Sequence, residues 1–132
     1  MTKRRLITVF SLAVIFLTAC GKSEPDAVKA RLGMPPAGFV AVPDSGRTLY
    51  QEDCAECHGV DIKGTMRGPA LLHKGYRASH HADLAFYQAV KNGVAQHHWQ
   101  FGNMPAMTHV TPEQAGHIVA YLRAQQGAAG IR

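Results

Sequence analysis

Apolar and polar positions along the chain fall into three stretches with helical spacing, and none of the intervening segments alternates as a strand would. The clearest stretch begins at Thr111, which suits an N-cap. Pro112 fits the first helical position, Gln114 completes a capping box, and Ala115, Ile118, Val119 and Leu122 share one face before the chain reaches Gly127. A second starts near Asp83, places Phe86, Tyr87, Val90 and Val94 at helical intervals and meets a stop at Gly93. The remaining one runs from about Ser45 to Glu56, with Asp44 or Ser45 as cap and Leu49 and Tyr50 on its inner side. Its last turn delivers two cysteines. The pattern predicts an all-α domain with no sheet of consequence, and no internal repeat is visible.

The first 43 residues are patterned differently. Lys3, Arg4 and Arg5 precede an apolar run from Leu6 to Leu17, and small residues follow at Thr18 and Ala19, so residues 1–19 read as an export signal. The run is shorter than the ~20 residues of a lasting membrane helix. Leu17-Thr18-Ala19-Cys20 resembles the lipobox of bacterial lipoproteins. That resemblance implies cleavage before Cys20, lipidation of Cys20 and a membrane anchor of more than one acyl chain. It also removes an odd exposed thiol, a liability in an oxidising compartment. Gly21 rather than Asp after the lipidated cysteine implies, by the same resemblance, sorting to the outer membrane of a two-membrane bacterium. The expected location is the periplasmic side of a bacterial membrane. Residues 20–43 carry Pro25, Pro35, Pro36 and Pro43 without an apolar period and read as a flexible tether with a reach of ~25–80 Å.

That division leaves residues 44–132 as one domain of fewer than 90 residues, a size at which a hydrophobic core alone is marginal and a staple is commonly needed. The net charge of +5 overstates the basicity. Three of the 14 basic residues fall in the signal, which leaves 11 against 9 acidic residues and a mature charge of +2. No lysine or arginine run remains to track phosphates, so nucleic-acid binding drops out.

The chemistry concentrates in Cys54-Ala55-Glu56-Cys57-His58, the C-x-x-C-H spacing of covalent haem attachment. Two thiols one short turn apart can each add to a haem vinyl group while the next imidazole is presented to the iron. A thioredoxin-like dithiol expects a β-α-β context, and a zinc site expects a second ligand pair. The sequence supplies neither, and Cys20 is the only other cysteine.

Gly46, Leu49, Tyr50, Cys54, Cys57, His58, Gly59, Gly68-Pro69, Met104-Pro105 and Tyr121-Leu122 occur in an order that resembles the class I cytochrome c family over nearly all of residues 44–126. The resemblance implies three to four helices round one covalently attached haem c, with the first and last helices crossing where Gly46 and Tyr50 meet Tyr121 and Leu122. It implies His58 as proximal iron ligand, the carbonyl of Pro69 as the acceptor orienting its ring, and Met104 as the sixth ligand. Met107, His97, His98 and His109 stand as competitors for that last post, and His97, His98, Met107 and His109 together as an accessory copper or zinc patch. His73, His80, His81 and His117 read singly as surface or packing residues. Trp99 and Phe101 fit an apolar wall over the haem edge.

With both axial positions filled by protein and no acid–base pair in the sequence, the expected function is single-electron transfer rather than catalysis by the chain itself. The expected partners are redox proteins: a dehydrogenase, a respiratory complex or a terminal acceptor, served by a tethered carrier or by the haem subunit of a larger enzyme. Two other readings stay open. One is a haem protein with a labile sixth site that binds carbon monoxide, nitric oxide or peroxide, and the other is a metal-handling lipoprotein using its His and Met residues.

Overall fold

A computed structural model describes residues 25–132; the expected signal, Cys20 and the start of the expected tether lie outside the described residues. Five α-helices follow in order: α1 (Pro25–Arg31), α2 (Pro43–Asp53), α3 (Ala55–His58), α4 (Asp83–Asn92) and α5 (Pro112–Ala128), with a 3₁₀ turn at Lys74–Tyr76. Among the described residues no strand forms, and one isolated antiparallel bridge pairs Val94 with Met104. The all-α expectation stands.

The three helices expected from the apolar pattern are α2, α4 and α5. The Thr111 cap forms with both halves of its capping box, and Gly93 ends α4 at φ 73°, a left-handed conformation that favours glycine. The start of α2 differs from expectation: Val42, not Asp44 or Ser45, is the N-cap, because Pro43 occupies the first helical position, where its missing N–H costs nothing.

Helices α2 and α5 cross at their closest at Gly46, where a Cβ would lie 1.9 Å from the His117 carbonyl oxygen. Only a residue without a side chain allows this approach. Beyond the crossing, the fully buried Tyr50 packs on Tyr121 with ring centroids 5.6 Å apart, beside Ile118 and Leu122. The Tyr50 hydroxyl donates to the Gly59 carbonyl at 2.8 Å, tying the crossing to the loop after the cysteine motif. Arg123 of α5 braces the other side: its guanidinium donates to the carbonyls of Tyr76 (2.7 Å) and His81 and to Asp83 Oδ1 (2.7 Å).

The described part of the expected tether is folded onto the domain. Lys91 Nζ donates to the last carbonyls of α1, at Ala30 (2.8 Å) and Arg31 (2.6 Å), and Gln88 Nε2 donates to the Leu32 carbonyl at 2.6 Å. Met34 packs against Tyr87, Ala115 and Val119, and Phe39 lies over Gly116 with its ring 4.9 Å from that of His117. His117 Nδ1 in turn accepts from the Val42 N–H at 2.8 Å. The reading of residues 20–43 as a free linker is thus corrected for 25–42. Two anchor side chains and a set of backbone carbonyls hold this strap, and neither produces an apolar period.

Candidate functional site

Cys54 ends α2 and starts α3, and that single turn sets Cys54 and His58 at the wall of a cavity, with Cys57 between them in sequence. Its volume is about 550 Å³, within the usual ~300–1,000 Å³ of cofactor sites. Cys54 and His58 line it together with Pro69, Leu71, Phe86, Val94, Trp99, Met104, Ile118 and Leu122. Cys57 is not among the lining residues; its backbone and Cβ lie against Gly68, where a Cβ would come within 2.9 Å of the Cys57 carbonyl oxygen.

His58 Nδ1 lies 2.9 Å from the Pro69 carbonyl oxygen. A carbonyl only accepts, so Nδ1 carries the proton and Nε2 is left as a free lone pair, the arrangement in which an outer acceptor orients a metal-ligating imidazole. Burial pushes the His58 pKa down, against the opposing effect of the Pro69 hydrogen bond, so the ring is held neutral. The loop supplying Pro69 is knitted locally. The Gly64 N–H donates to the His58 carbonyl at 2.8 Å, Thr65 Oγ1 to the Cys57 carbonyl at 2.7 Å, and the N–H groups of Leu71 and Leu72 to the Ile62 carbonyl at 3.0 and 3.1 Å. Ile62, buried to 2 % exposure, sits at φ 64°, a strained conformation for a β-branched residue that this knitting maintains.

Cys54 and Cys57 are both free of a disulfide. Burial, helped by Asp53 and Cys57, pushes the Cys54 thiol up to about 12, so its environment rejects a thiolate. A thioether is neutral and suits that place. With a neutral imidazole, two unpaired cysteines and mostly apolar walls, the residues present fit a covalently attached haem.

The structure sets two of the candidates for the sixth ligand, Met107 and His109, apart from Met104. Met104 lines the cavity, and its backbone is pinned by a reciprocal pair of 2.9 Å hydrogen bonds with Val94. Met107 turns to a different cavity beside Ala30, Tyr87 and Lys91. His109 is drawn off by Asp53, whose Oδ1 lies 2.9 Å from its Nε2. His97 and His98 line the same cavity as Met104. The accessory patch of His97, His98, Met107 and His109 is therefore not brought together, since its four members divide among three places. Trp99 lines the cavity and stacks on Tyr76 at 5.5 Å with 20° between the rings, while Phe101 lines it with 39 % exposure.

Sequence reasoning missed Tyr76 and Leu71 as cavity residues, since neither lies in an apolar period, and it read Val94 as part of a helical stripe although α4 ends at Asn92. It also missed the grouping of His80 and His81 with His98, although the adjacent pairs were visible.

The cytochrome c family profile matches residues 43–126. The chain is 33 % identical to cytochrome c-551 of Bacillus subtilis (strain 168) over 100 residues, 76 % of each chain. It is 28 % identical to the cbb3-type cytochrome c oxidase subunit CcoP of Rubrivivax gelatinosus over 126 residues, 84 % of this chain and 39 % of that subunit. No solved structure matches it significantly. On the family profile, the kinship to cytochrome c-551 and the attachment motif, the chain belongs to the cytochrome c family as a monohaem class I member, which carries a covalently bound haem c and serves electron transport.

Proposed function

We propose that this domain passes single electrons between protein partners on the periplasmic side of a bacterial membrane, with His58 and Met104 as the axial ligands of its haem. The observation that carries this reading is the hydrogen bond from His58 Nδ1–H to Pro69, which leaves Nε2 available in a cavity that Met104 also lines. A bound haem, held by Cys54, Cys57, His58 and Met104, would supply a one-electron centre. Cys54 and Cys57 fasten it, and the Pro69 carbonyl fixes the plane of the His58 ring. Met104 offers a weakly donating thioether that favours ferrous iron and raises the potential. Trp99 and the apolar walls exclude water, which disfavours the extra charge of the ferric state.

The anchor is Cys20, lipidated and, on the strength of Gly21, directed to the outer membrane. The five residue-to-residue steps from Cys20 to Pro25 span at most ~18 Å. With residues 25–42 strapped to the domain, the haem domain works close to the membrane surface rather than at the end of a long leash, whether alone or as the haem subunit of a complex. Among the described residues no helix is long and apolar enough to cross a membrane.

Absorption spectroscopy of the oxidised and reduced protein tests the ligand set. The far-red sulfur-to-iron band is expected in the wild type and in Met107→Ala and is expected to vanish in Met104→Ala. Its survival in Met104→Ala, or tight carbon monoxide binding by the ferrous wild type, rejects the assignment. Release of Cys20→Ser from membranes, with loss of radiolabelled palmitate, tests the anchor.

A further inference from the structure

One group of side chains has no part in the electron-transfer reading. His80 and His81, in the loop before α4, meet His98 from the loop before Met104. One ring nitrogen from each lies within 4.8 Å of the other two. The ring centroids are 4.7 Å apart for His80 and His81, 5.5 Å for His81 and His98, and 5.9 Å for His80 and His98. We propose that these three histidines bind a divalent first-row transition-metal ion, zinc(II) or copper(II), at the solvent-facing edge of the haem cavity.

Three features of the cluster point to a cation. First, the donors are all imidazoles, which suit zinc and copper rather than calcium or magnesium. Three histidines with a fourth position open to water is a familiar zinc coordination.

Second, His81 is prepared as a ligand. Its Nδ1 lies 2.7 Å from the Gly75 carbonyl oxygen, so Nδ1 carries the proton and Nε2 is left as the lone pair. The backbone of His81 is fixed as well, its carbonyl accepting from Arg123 and its N–H donating to the Arg77 carbonyl at 2.9 Å. The His80 N–H donates to the same carbonyl at 2.9 Å.

Third, little movement is required. Zn–N bonds of ~2.0–2.1 Å in a tetrahedron set the ligand nitrogens about 3.3 Å apart. Closing from within 4.8 Å takes shifts of roughly 1.5 Å, and His80 and His98 are both exposed.

Two of the three ligands, His81 and His98, also line the haem cavity, with Trp99 next in sequence to His98. A bound dication there adds positive charge beside the haem and opposes the ferric state, so occupancy raises the reduction potential. This consequence rests on the electron-transfer reading, whereas metal binding itself does not.

Holoprotein freed of adventitious metal with a chelator is titrated with zinc sulfate and, separately, copper(II) sulfate in a calorimeter. One equivalent is expected. His80→Ala and His98→Ala are each expected to weaken binding by at least ~10-fold, since losing a ligand costs no less than losing an outer-shell partner. His109→Ala, outside the cluster, is expected to bind as the wild type does. Paramagnetic resonance of the copper(II) form supplies a second readout, with splitting from imidazole nitrogens that His98→Gln reduces. An unchanged haem spectrum in each variant shows that the fold is kept. Absence of a one-equivalent event in the wild type, or equal affinity in His98→Ala and the wild type, overturns the site. A potential that stays put at full zinc occupancy overturns the coupling to the haem.

Discussion

The two walls of the haem cavity are built in opposite ways. The wall that carries Cys54 and His58 spans residues 54–72, where nearly every turn is closed by a main-chain bond and the side chain of Thr65 adds one more to Cys57. It also hangs from the α2–α5 crossing through Tyr50 and Gly59. The wall that carries Met104 spans residues 94–110. Its stretch around Met104 is held by the Val94–Met104 pair and by exposed side-chain bonds, from the Gln96 N–H to Asn103 Oδ1 (2.9 Å) and from the Gly102 N–H to Gln96 Oε1 (2.6 Å), and only beyond Met104 is it tied to α4, by the Met107 N–H to the Val90 carbonyl (2.8 Å), and to α2, by His109 and Asp53. Exposed hydrogen bonds and few buried contacts mark the segments that open first. The difference teaches that, on the ligation proposed above, His58 is mounted on the core of the domain and Met104 on a loop that can yield.

The strongest way to break this contrast is to remove the support of the rigid wall. Gly46→Val drives a side chain into the His117 backbone, so the helices must separate. A loss of about 3 kcal/mol or more is expected, above the usual range for overpacking because the obstacle is main chain. Denaturant unfolding of the holoprotein measures it, and an unchanged midpoint would show that the crossing does not carry the wall.

A smaller effect sharpens the contrast without a mutation. As guanidinium is raised, the far-red band of the Met104 ligand is expected to fade before the helices unfold, with an opening free energy at least ~2 kcal/mol below the global value. Coincident loss of the band and of helical circular dichroism would place both walls in one cooperative unit.

The strap joins the comparison as a third region. Phe39→Ala removes the ring that covers Gly116 and touches His117, and is expected to cost about 2–3 kcal/mol, somewhat less than a fully buried Phe because the site lies at the edge. The expected sign of detachment is earlier proteolysis within residues 25–42, with the haem spectrum unaltered. A stability equal to the wild type would return this segment to the status of a linker.

How much of this was legible in the sequence follows from how each part is built. Helices α4 and α5 and most of α2 were readable, because a stripe of apolar residues and a capping box are local signals. The attachment motif was readable because its spacing is chemistry. The strap was not, since Met34 and Phe39 act as isolated anchors and most of the rest is carbonyls accepting from Lys91 and Gln88. Among the loop residues, the resemblance pointed to Met104, directly before Pro105, and left Met107 three positions on as a competitor. The structure sets them apart: Met104, bridged to Val94, lines the haem cavity, and Met107 lines another beside Tyr87. The histidine cluster was hidden for the same reason: it is assembled by two loops whose meeting no periodicity records.

The smallest predicted effect is also the one that discriminates best. Asn103→Ala deletes the acceptor for the Gln96 N–H in the Met104 loop, and Thr65→Val deletes both the donor to the Cys57 carbonyl and the acceptor for the Arg67 N–H in the opposite wall. Each change removes exposed hydrogen bonds with a net worth of ~0.5–1.5 kcal/mol, so global stability should fall by similar amounts in both. Their effects on the iron should differ. Loosening the Met104 loop raises the fraction of time in which the sixth position is open, and an opening cheaper by ~1 kcal/mol is about 5-fold more frequent. Carbon monoxide binding to the ferrous protein, limited by that opening, should quicken about 5-fold in Asn103→Ala and stay within error of the wild type in Thr65→Val. Equal rates in the two variants would mean that the walls yield together, because a bond in either wall would then hold Met104 equally.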